Sequence, residues 1–181
     1  MTLPRSAIPA MAKRVRASAI VFACALAACV HAGSADSTGS AKVARVGEAA
    51  PPWTEASLPG PTLSLAAFHG KPVYLNFFAT WCPPCNAEAP AIDSIAREYA
   101  ARGLQVVGVD VLETARKAGE FRQEHHLTYP VVVDDGTLRD QYAVNGLPVH
   151  VFIDRLGIVR RIVVGEMSPA DMRSNAERLL Q

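Results

Sequence analysis

Two cysteines separated by two prolines, Cys82-Pro83-Pro84-Cys85, are the residues of this chain best suited to chemistry. An apolar run ending at Trp81 precedes them, and a segment with helical periodicity follows. If Cys82 lies at the N-terminus of that helix, unpaired backbone N–H groups and the helix dipole favour a thiolate there. Cys85 then lies on the same helical face, so the two sulfurs can form a disulfide and release it. The pattern predicts reversible two-electron thiol chemistry.

The same cysteine spacing also occurs in zinc sites, haem-attachment motifs and structural disulfides. A zinc site needs about four ligands, but no second cysteine pair follows, and His125 and His126 are adjacent rather than spaced as ligands. Covalent haem attachment needs a histidine directly after the second cysteine, and that residue is Asn86. We therefore expect neither a metal nor a cofactor. A structural disulfide is the alternative to a redox-active one, although it would not require the two prolines.

The residues at 73–85 resemble the active site of the TlpA/ResA-type, membrane-tethered branch of the thioredoxin superfamily. Residues 46–53 and 64–72 are similar to the N-terminal extension of that family, so the resemblance runs from about residue 46 to the C-terminus. It implies a thioredoxin-like fold and a thiol:disulfide oxidoreductase. In such an enzyme Cys82 attacks a substrate disulfide and Cys85 resolves the mixed disulfide.

The resemblance also implies roles for residues near the two cysteines. Pro148 corresponds to the cis-proline that faces the cysteine pair in thioredoxin-like domains, and the backbone of Leu147 would pair with an extended substrate segment. Trp81 is the third expected substrate-binding residue. Glu88 matches the active-site glutamate of ResA-like proteins, where a carboxylate can accept a thiol proton; a solvated acid in the first helical turn is the alternative. Asn76 occupies the position of the buried acid of thioredoxin.

Four histidines are expected to contribute to the surface or the core rather than to function, and they are His69, His125, His126 and His150.

The hydrophobic pattern indicates which elements must position the cysteines. Apolar runs and alternation predict strands over 73–79, 104–111, 129–133, 149–153 and 158–164, the last two joined as a hairpin. Helical periodicity predicts helices over 83–102, 115–125 and 137–143, and a last one that Ser168 caps. Pro90 should kink the first helix. The proline-rich residues 43–72 should be extended or hairpin-like. This order predicts an α/β fold, with a mixed central sheet, helices on both faces and an N-terminal extension.

Composition and charge favour one globular domain with an N-terminal appendage. Half of the 181 residues are apolar and 19% are charged. Four basic residues and no acidic ones precede Cys29, so the rest has 18 − 4 = 14 basic and 17 acidic residues, a net charge of −3. The domain therefore has no basic excess with which to bind nucleic acid. We also expect the protein to be a monomer.

The N-terminal segment has the features of an export signal. The apolar stretch over 17–30 is shorter than the roughly 20 residues of a spanning helix and typical of a signal-peptide core. Leu26-Ala27-Ala28-Cys29 resembles a bacterial lipobox, which predicts a signal peptide over 1–28 and lipidation of Cys29. Cleavage after Ala32, releasing a soluble protein, and retention of an uncleaved anchor are the alternatives. All three place the domain outside the cytoplasm, at the periplasmic side of a bacterial membrane.

The domain boundaries follow from composition. The glycine-, serine- and alanine-rich residues at 29–42 are typical of a flexible tether. We therefore expect the thioredoxin-like domain over 43–181.

The resemblance further implies protein partners. Substrates would be disulfide-containing proteins, such as apocytochromes c or copper-site proteins with paired cysteines. Because the compartment is oxidising, a reductant needs electrons, which a membrane thiol transporter of the DsbD/CcdA kind would supply. A dedicated oxidase is the nearest rival.

Other function classes are left as alternatives. A copper-binding chaperone would use Cys82, Cys85 and a histidine as ligands, and a non-enzymatic lipoprotein would need neither cysteine. A peroxidase of the related peroxiredoxin family is disfavoured, because its nucleophile needs a threonine three residues earlier and position 79 is alanine.

Overall fold

A buried central strand leads directly into the helix that carries the two cysteines. The computed structural model describes residues 43–181. The predicted signal peptide over 1–28, the lipidation site Cys29 and the tether over 29–42 lie outside the described residues. Within 43–181, no helix is both long enough and apolar enough to cross a bilayer.

The chain order alternates strands and helices after a short N-terminal extension. The strands are β1 (Thr54–Glu55), β2 (Ser57–Leu58), β3 (Leu63–Ser64), β4 (Val73–Phe78), β5 (Gln105–Val111), β6 (Val131–Asp134), β7 (Val149–Ile153) and β8 (Val159–Val164). The helices are α1 (Pro83–Tyr99), α2 (Ala115–Glu124), α3 (Thr137–Gln141) and α4 (Pro169–Leu179).

Six strands form one mixed sheet in the order β2-β6-β5-β4-β7-β8. Strands β4, β5 and β6 run parallel to one another, whereas β7 and β8 form an antiparallel hairpin beside β4. The edges of this sheet are poorly suited to pairing with a further strand, because β2 has only two residues and β8 exposes Arg160 and Arg161. Strands β1 and β3 form a separate antiparallel pair.

Strand β4 is buried along its whole length because both faces of the sheet are covered. Tyr74 and Phe78 pack into a cluster with residues of α1, α2 and α4, and Leu75 and Phe77 pack into a second cluster with α3 and the N-terminal extension. Successive side chains of a strand point to opposite faces, which explains this division. The fold is thioredoxin-like, and helices lie on both faces as predicted.

The structure refines several predicted boundaries. The predicted helix over 83–102 ends as an α-helix at Tyr99 and continues as a 3-10 turn to Arg102, where Gly103 with φ of 94° ends it. Ser168 caps α4 as predicted, since its Oγ accepts a hydrogen bond from Asp171 N at 3.1 Å. The extension contains the antiparallel β1–β3 pair, in agreement with the predicted hairpin-like conformation, and β2 in addition joins the edge of the main sheet beside β6.

Candidate functional site

The two cysteines lie where β4 gives way to α1. Cys82 is the N-cap residue of α1, and its Sγ accepts a hydrogen bond from Cys85 N at 3.3 Å. The two sulfurs are joined at 2.03 Å, and the Cα atoms are 5.3 Å apart. Each cysteine is only 3% exposed, whereas the adjacent Trp81 is 68% exposed. The predicted placement of both cysteines at a helix N-terminus is confirmed, and the residue directly before them carries an exposed aromatic ring.

A carboxylate from the next strand–helix connection holds the loop that leads into Cys82. Glu113 Oε2 accepts a hydrogen bond from Thr80 N at 2.5 Å, and its Oε1 accepts from Thr80 Oγ1 at 2.9 Å and from Lys117 Nζ at 2.8 Å. Burial alone would raise the pKa of Glu113, but the hydrogen bonds from Lys117 and Thr80 keep that pKa below its ordinary value. Glu113 therefore fixes this loop as an ionised acceptor.

A second carboxyl group lies beside Glu113 and is buried completely. Asp110 is paired with Phe78 across β5 and β4, and among residues 43–181 neither of its side-chain oxygens has a hydrogen-bond donor. Burial, and then the negative charge of Glu113, raise the pKa of Asp110 to about 8. Asp110 is therefore a neutral acid at pH 7, able to share its proton with Glu113.

The first turn of α1 is braced from the other side by a side-chain amide. Asn86 Nδ2 donates to the carbonyl oxygens of Thr80 at 3.0 Å and Cys82 at 2.8 Å. Asn86 Oδ1 lies 2.9 Å from His125 Nε2 at the end of α2. His125 thus supports the cysteine loop, a role that the sequence did not indicate.

The predicted proline turn adjoins an open groove. The Leu147–Pro148 peptide is cis, as predicted, and so is Leu58–Pro59. Trp81 and Leu147 line a groove of about 290 Å³ together with Leu112, which is 58% exposed and has a φ of 57°. Two of the three predicted substrate-binding residues therefore share one concave surface, and Leu112 is an apolar member that sequence reasoning missed.

Glu88 lies on α1 one turn after Cys85 and is only 7% exposed. Its Oε1 accepts a hydrogen bond from Met167 N at 2.6 Å, and its Oε2 lies 3.4 Å from Nε2 of the fully buried His150. The alternative that Glu88 is a solvated acid is therefore wrong.

Besides His125, four residues of this site had no predicted role in it, because distant segments bring them there. Leu112 and Glu113 follow strand β5, Asp110 lies on it, and His150 is paired with Asn76 across β7 and β4. Only the order of strands in the sheet could have indicated these positions. His150 is a core residue, as expected, but its contact with Glu88 was not anticipated.

The metal-ligating side chains of the described region do not gather at the cysteines. Across residues 43–181, the one group of three or more such side chains is Glu55, Asp134 and Asp135, whose ligand atoms lie within 4.8 Å of one another. Asp134 already accepts hydrogen bonds from the backbone of Leu138 and Arg139 at the start of α3. Those bonds give Asp134 a structural role.

Comparison with known proteins identifies relatives over most of the described region. A model of the AhpC/TSA family matches residues 46–162. Thiol-disulfide oxidoreductase ResA of Geobacillus thermodenitrificans is 33% identical over 135 residues, which cover 74% of this chain and 78% of that protein.

Solved structures give the same result. A thiol:disulfide interchange protein of the thioredoxin family from Chlorobium tepidum has a TM-score of 0.70 and 30% identity, and the match covers 76% of this chain and 99% of that one. A secreted disulfide oxidoreductase of Mycobacterium tuberculosis, described as homologous to DsbE of E. coli, has a TM-score of 0.65 and 27% identity, covering 70% of this chain and 96% of that one.

Proposed function

This chain belongs to the AhpC/TSA family and is a thiol:disulfide oxidoreductase of thioredoxin-like fold, and we propose that it reduces protein disulfides outside the cytoplasm. The observation that carries the proposal is the Cys82–Cys85 pair at the N-terminus of α1, beside the exposed ring of Trp81. A helix N-terminus stabilises a thiolate at Cys82, and the thiolate is the nucleophile in disulfide exchange.

The reaction proceeds in two exchanges of sulfur partners. The Cys82 thiolate attacks one sulfur of the substrate disulfide, and the other substrate sulfur leaves as a thiolate. Cys85 loses its proton to Glu88 and attacks Cys82, so the Cys82–Cys85 bond forms while the mixed disulfide breaks. The enzyme gives up two electrons, and the substrate leaves as a dithiol.

The groove formed by Trp81, Leu112 and Leu147 is the proposed substrate-binding surface. Its apolar lining, which also includes Val111 and Val144, suits an extended segment that carries a cysteine between apolar neighbours. The backbone at Leu147 would pair with that segment and align it across the sulfurs. We propose cysteine pairs of apocytochromes c or of copper-site proteins as substrates.

The cellular arrangement that we propose combines a lipid anchor and a membrane electron supply. Cys29, at the end of a signal peptide over 1–28, would carry the lipid, and residues 29–42 would tether a monomeric domain. Several acyl chains suffice for stable anchoring by burial of methylene groups. A membrane thiol transporter of the DsbD/CcdA kind would reduce Cys82–Cys85 after each turnover, because the compartment itself is oxidising.

Trapping of mixed disulfides tests this function. In a Cys85→Ala variant the resolving thiol is absent, so covalent complexes between Cys82 and its substrates should accumulate in the native host and be identified by mass spectrometry. A Cys82→Ser/Cys85→Ala variant is the matched control and should trap nothing. If the single variant traps no protein, the oxidoreductase has no such substrates and the proposal fails.

The reduction potential tests the direction of electron transfer. A reductant needs a potential well below that of DsbA, which is around −120 mV. A measured potential close to the DsbA value would identify an oxidase instead.

A further inference from the structure

A buried histidine of strand β7 takes no part in the two thiol exchanges. His150 is fully buried on β7, opposite Asn76 of β4. Its Nε2 lies 3.4 Å from Oε2 of Glu88, and within the described part of the chain neither atom has any other polar partner. Because buried polar atoms are nearly always paired in folded proteins, we take His150 Nε2 and Glu88 Oε2 as each other's polar partners.

The surroundings of the imidazole define where its proton lies. Tyr74 Oη is 2.8 Å from His150 Nδ1, and Asn76 Nδ2 is 3.4 Å from the same atom. Burial, with smaller contributions from Tyr129 and Glu88, raises the pKa of Tyr74 well above its ordinary value, so this hydroxyl keeps its proton. Asn76 Nδ2 can only donate, so we assign Nδ1 as the acceptor of the Asn76 N–H and Tyr74 O–H groups and place an N–H group on Nε2, facing Glu88.

Each carboxylate oxygen of Glu88 thus faces a nitrogen, through a hydrogen bond at Oε1 and a 3.4 Å contact at Oε2. Met167 N donates to Oε1, and the Nε2–H group of His150 faces Oε2. Glu88 lies one helical turn after Cys85, on the same face of α1. A carboxylate that is hydrogen-bonded at one oxygen and faces an imidazole nitrogen at the other is restricted in its orientation relative to Cys85.

We propose that His150 is a positioning residue, which holds the Glu88 carboxylate in the orientation that accepts the proton of Cys85. This inference rests on the proposed function. In the resolving step the proton moves from Cys85 Sγ to Glu88, the Cys85 sulfur bonds to Cys82, and the substrate sulfur leaves with the electron pair and is protonated by solvent. His150 exchanges no proton and contacts no substrate; it acts through Glu88.

The two thiol steps are separable with Ellman's reagent, an aromatic disulfide. When the reduced protein reacts with it, attack by Cys82 releases the first thionitrobenzoate and resolution by Cys85 releases the second. Stopped-flow absorbance records both phases. We expect His150→Leu to slow the second phase by about tenfold, a part of the roughly 10²–10⁴-fold that general acid–base catalysis supplies, and to change the first by less than about twofold.

A conservative variant separates positioning from packing. His150→Gln retains a side-chain N–H and should recover most of the second-phase rate, whereas a packing defect would persist in it. Because leucine leaves the Tyr74 hydroxyl without a partner, Tyr74→Phe/His150→Leu is the variant to use if His150→Leu does not fold. An unchanged second phase, or an equal slowing of both phases, would overturn the inference.

Glu88 variants distinguish failure of this inference from failure of the proposed function. Glu88→Gln should slow the second phase at least as much as His150→Leu, and adding His150→Leu to it should have no further effect, because both changes remove the same interaction. If Glu88→Gln leaves the second phase unchanged, the proposed role of Glu88 is wrong and the role of His150 with it. If only His150→Leu has no effect, the inference on His150 alone fails.

Discussion

Two neighbouring carboxyl groups beneath the cysteine loop have opposite protonation states. Glu113 receives hydrogen bonds from Thr80 and Lys117, whereas Asp110 has no donor among the described residues and is closed to water. The contacts of Glu113 lower its pKa, and burial raises the pKa of Asp110 to about 8. Glu113, which holds the loop before Cys82, is thus ionised, whereas the neighbouring Asp110 is neutral.

The neutral state of Asp110 predicts a loss of stability as the pH rises. The unfolded chain releases this proton near pH 3.8 and the folded protein only near pH 8, so folding becomes less favourable through that window. Asp110→Asn has the same shape and does not titrate. Its free energy of unfolding, relative to wild type, should rise by about 2 kcal/mol between pH 6 and pH 8, at roughly 1.4 kcal/mol per pH unit.

Urea denaturation at the two pH values measures this difference. Asp140→Asn is the control, because the side chain of Asp140 is 77% exposed, and it should show no such trend. Parallel pH profiles for wild type and Asp110→Asn would contradict the prediction.

At the scale of single residues, the sequence predicts the parts of the site that are local. Cys82, Cys85 and Glu88 lie within two turns of one helix, so spacing alone places them together. Asp110 and His150 reach the site through pairing of their strands with β4. Local sequence contains no signal for such pairing, and their roles become visible only in the fold.

At the scale of elements, β5 approaches its neighbours closely at a glycine. A Cβ atom at Gly108 would lie 3.0 Å from Phe78 Cε1, 3.2 Å from Val131 Cγ2 and 3.3 Å from Tyr129 Cε2. These contacts are tighter than ordinary van der Waals packing, and all three side chains are themselves buried in the core. The aromatic packing around β4 and β5 therefore requires glycine at 108.

Two glycine-to-alanine changes should have opposite effects on stability. Gly108→Ala should destabilise the domain by about 1–3 kcal/mol, because the added methyl group overpacks the core. Gly119→Ala, in the middle of α2 where nothing lies within 4 Å of the added atom, should stabilise it by about 0.5–1 kcal/mol. Chemical denaturation of both variants measures these effects, and a loss of stability from Gly119→Ala would contradict the second expectation.

The elements that the sequence predicts well are those with a long hydrophobic period or strong capping signals. The buried run of β4, the helix α1 and the Ser168-capped α4 belong to this group. Strand β2 was missed because two residues are too few to show alternation, and its pairing with β6 is decided by tertiary contacts.

At the scale of the whole molecule, the N-terminal extension is part of the folded domain. Ala44 N donates to Gln141 O at 2.7 Å, and Gly47 N donates to Val159 O at 2.8 Å. Trp53 and Phe68 pack into the hydrophobic cluster on the second face of the sheet. The extension therefore covers a face that would otherwise be exposed, and any tether has to precede it.

Lipidation of Cys29 predicts where the protein is found in the cell. Wild type should fractionate with membranes, and Cys29→Ser should appear in the soluble periplasmic fraction with its disulfide reductase activity intact, because the domain itself is unchanged. Cys24→Ser, five residues earlier in the signal peptide, should behave as wild type. Membrane fractionation followed by immunoblotting measures this. Retention of Cys29→Ser in the membrane would favour the uncleaved anchor.

The two edge strands of the sheet, β2 and β8, affect how copies of the domain would interact at a membrane surface. Molecules attached to one bilayer meet far more often than molecules free in solution, and an open strand edge would recruit a second copy into a growing fibril. One edge strand of the sheet, β2, has only two residues, and the other, β8, exposes the adjacent Arg160 and Arg161. Both features disfavour pairing with a strand of a second copy. If a lipid on Cys29 holds the domain at a membrane, as we propose, these two edges would disfavour strand pairing between neighbouring copies.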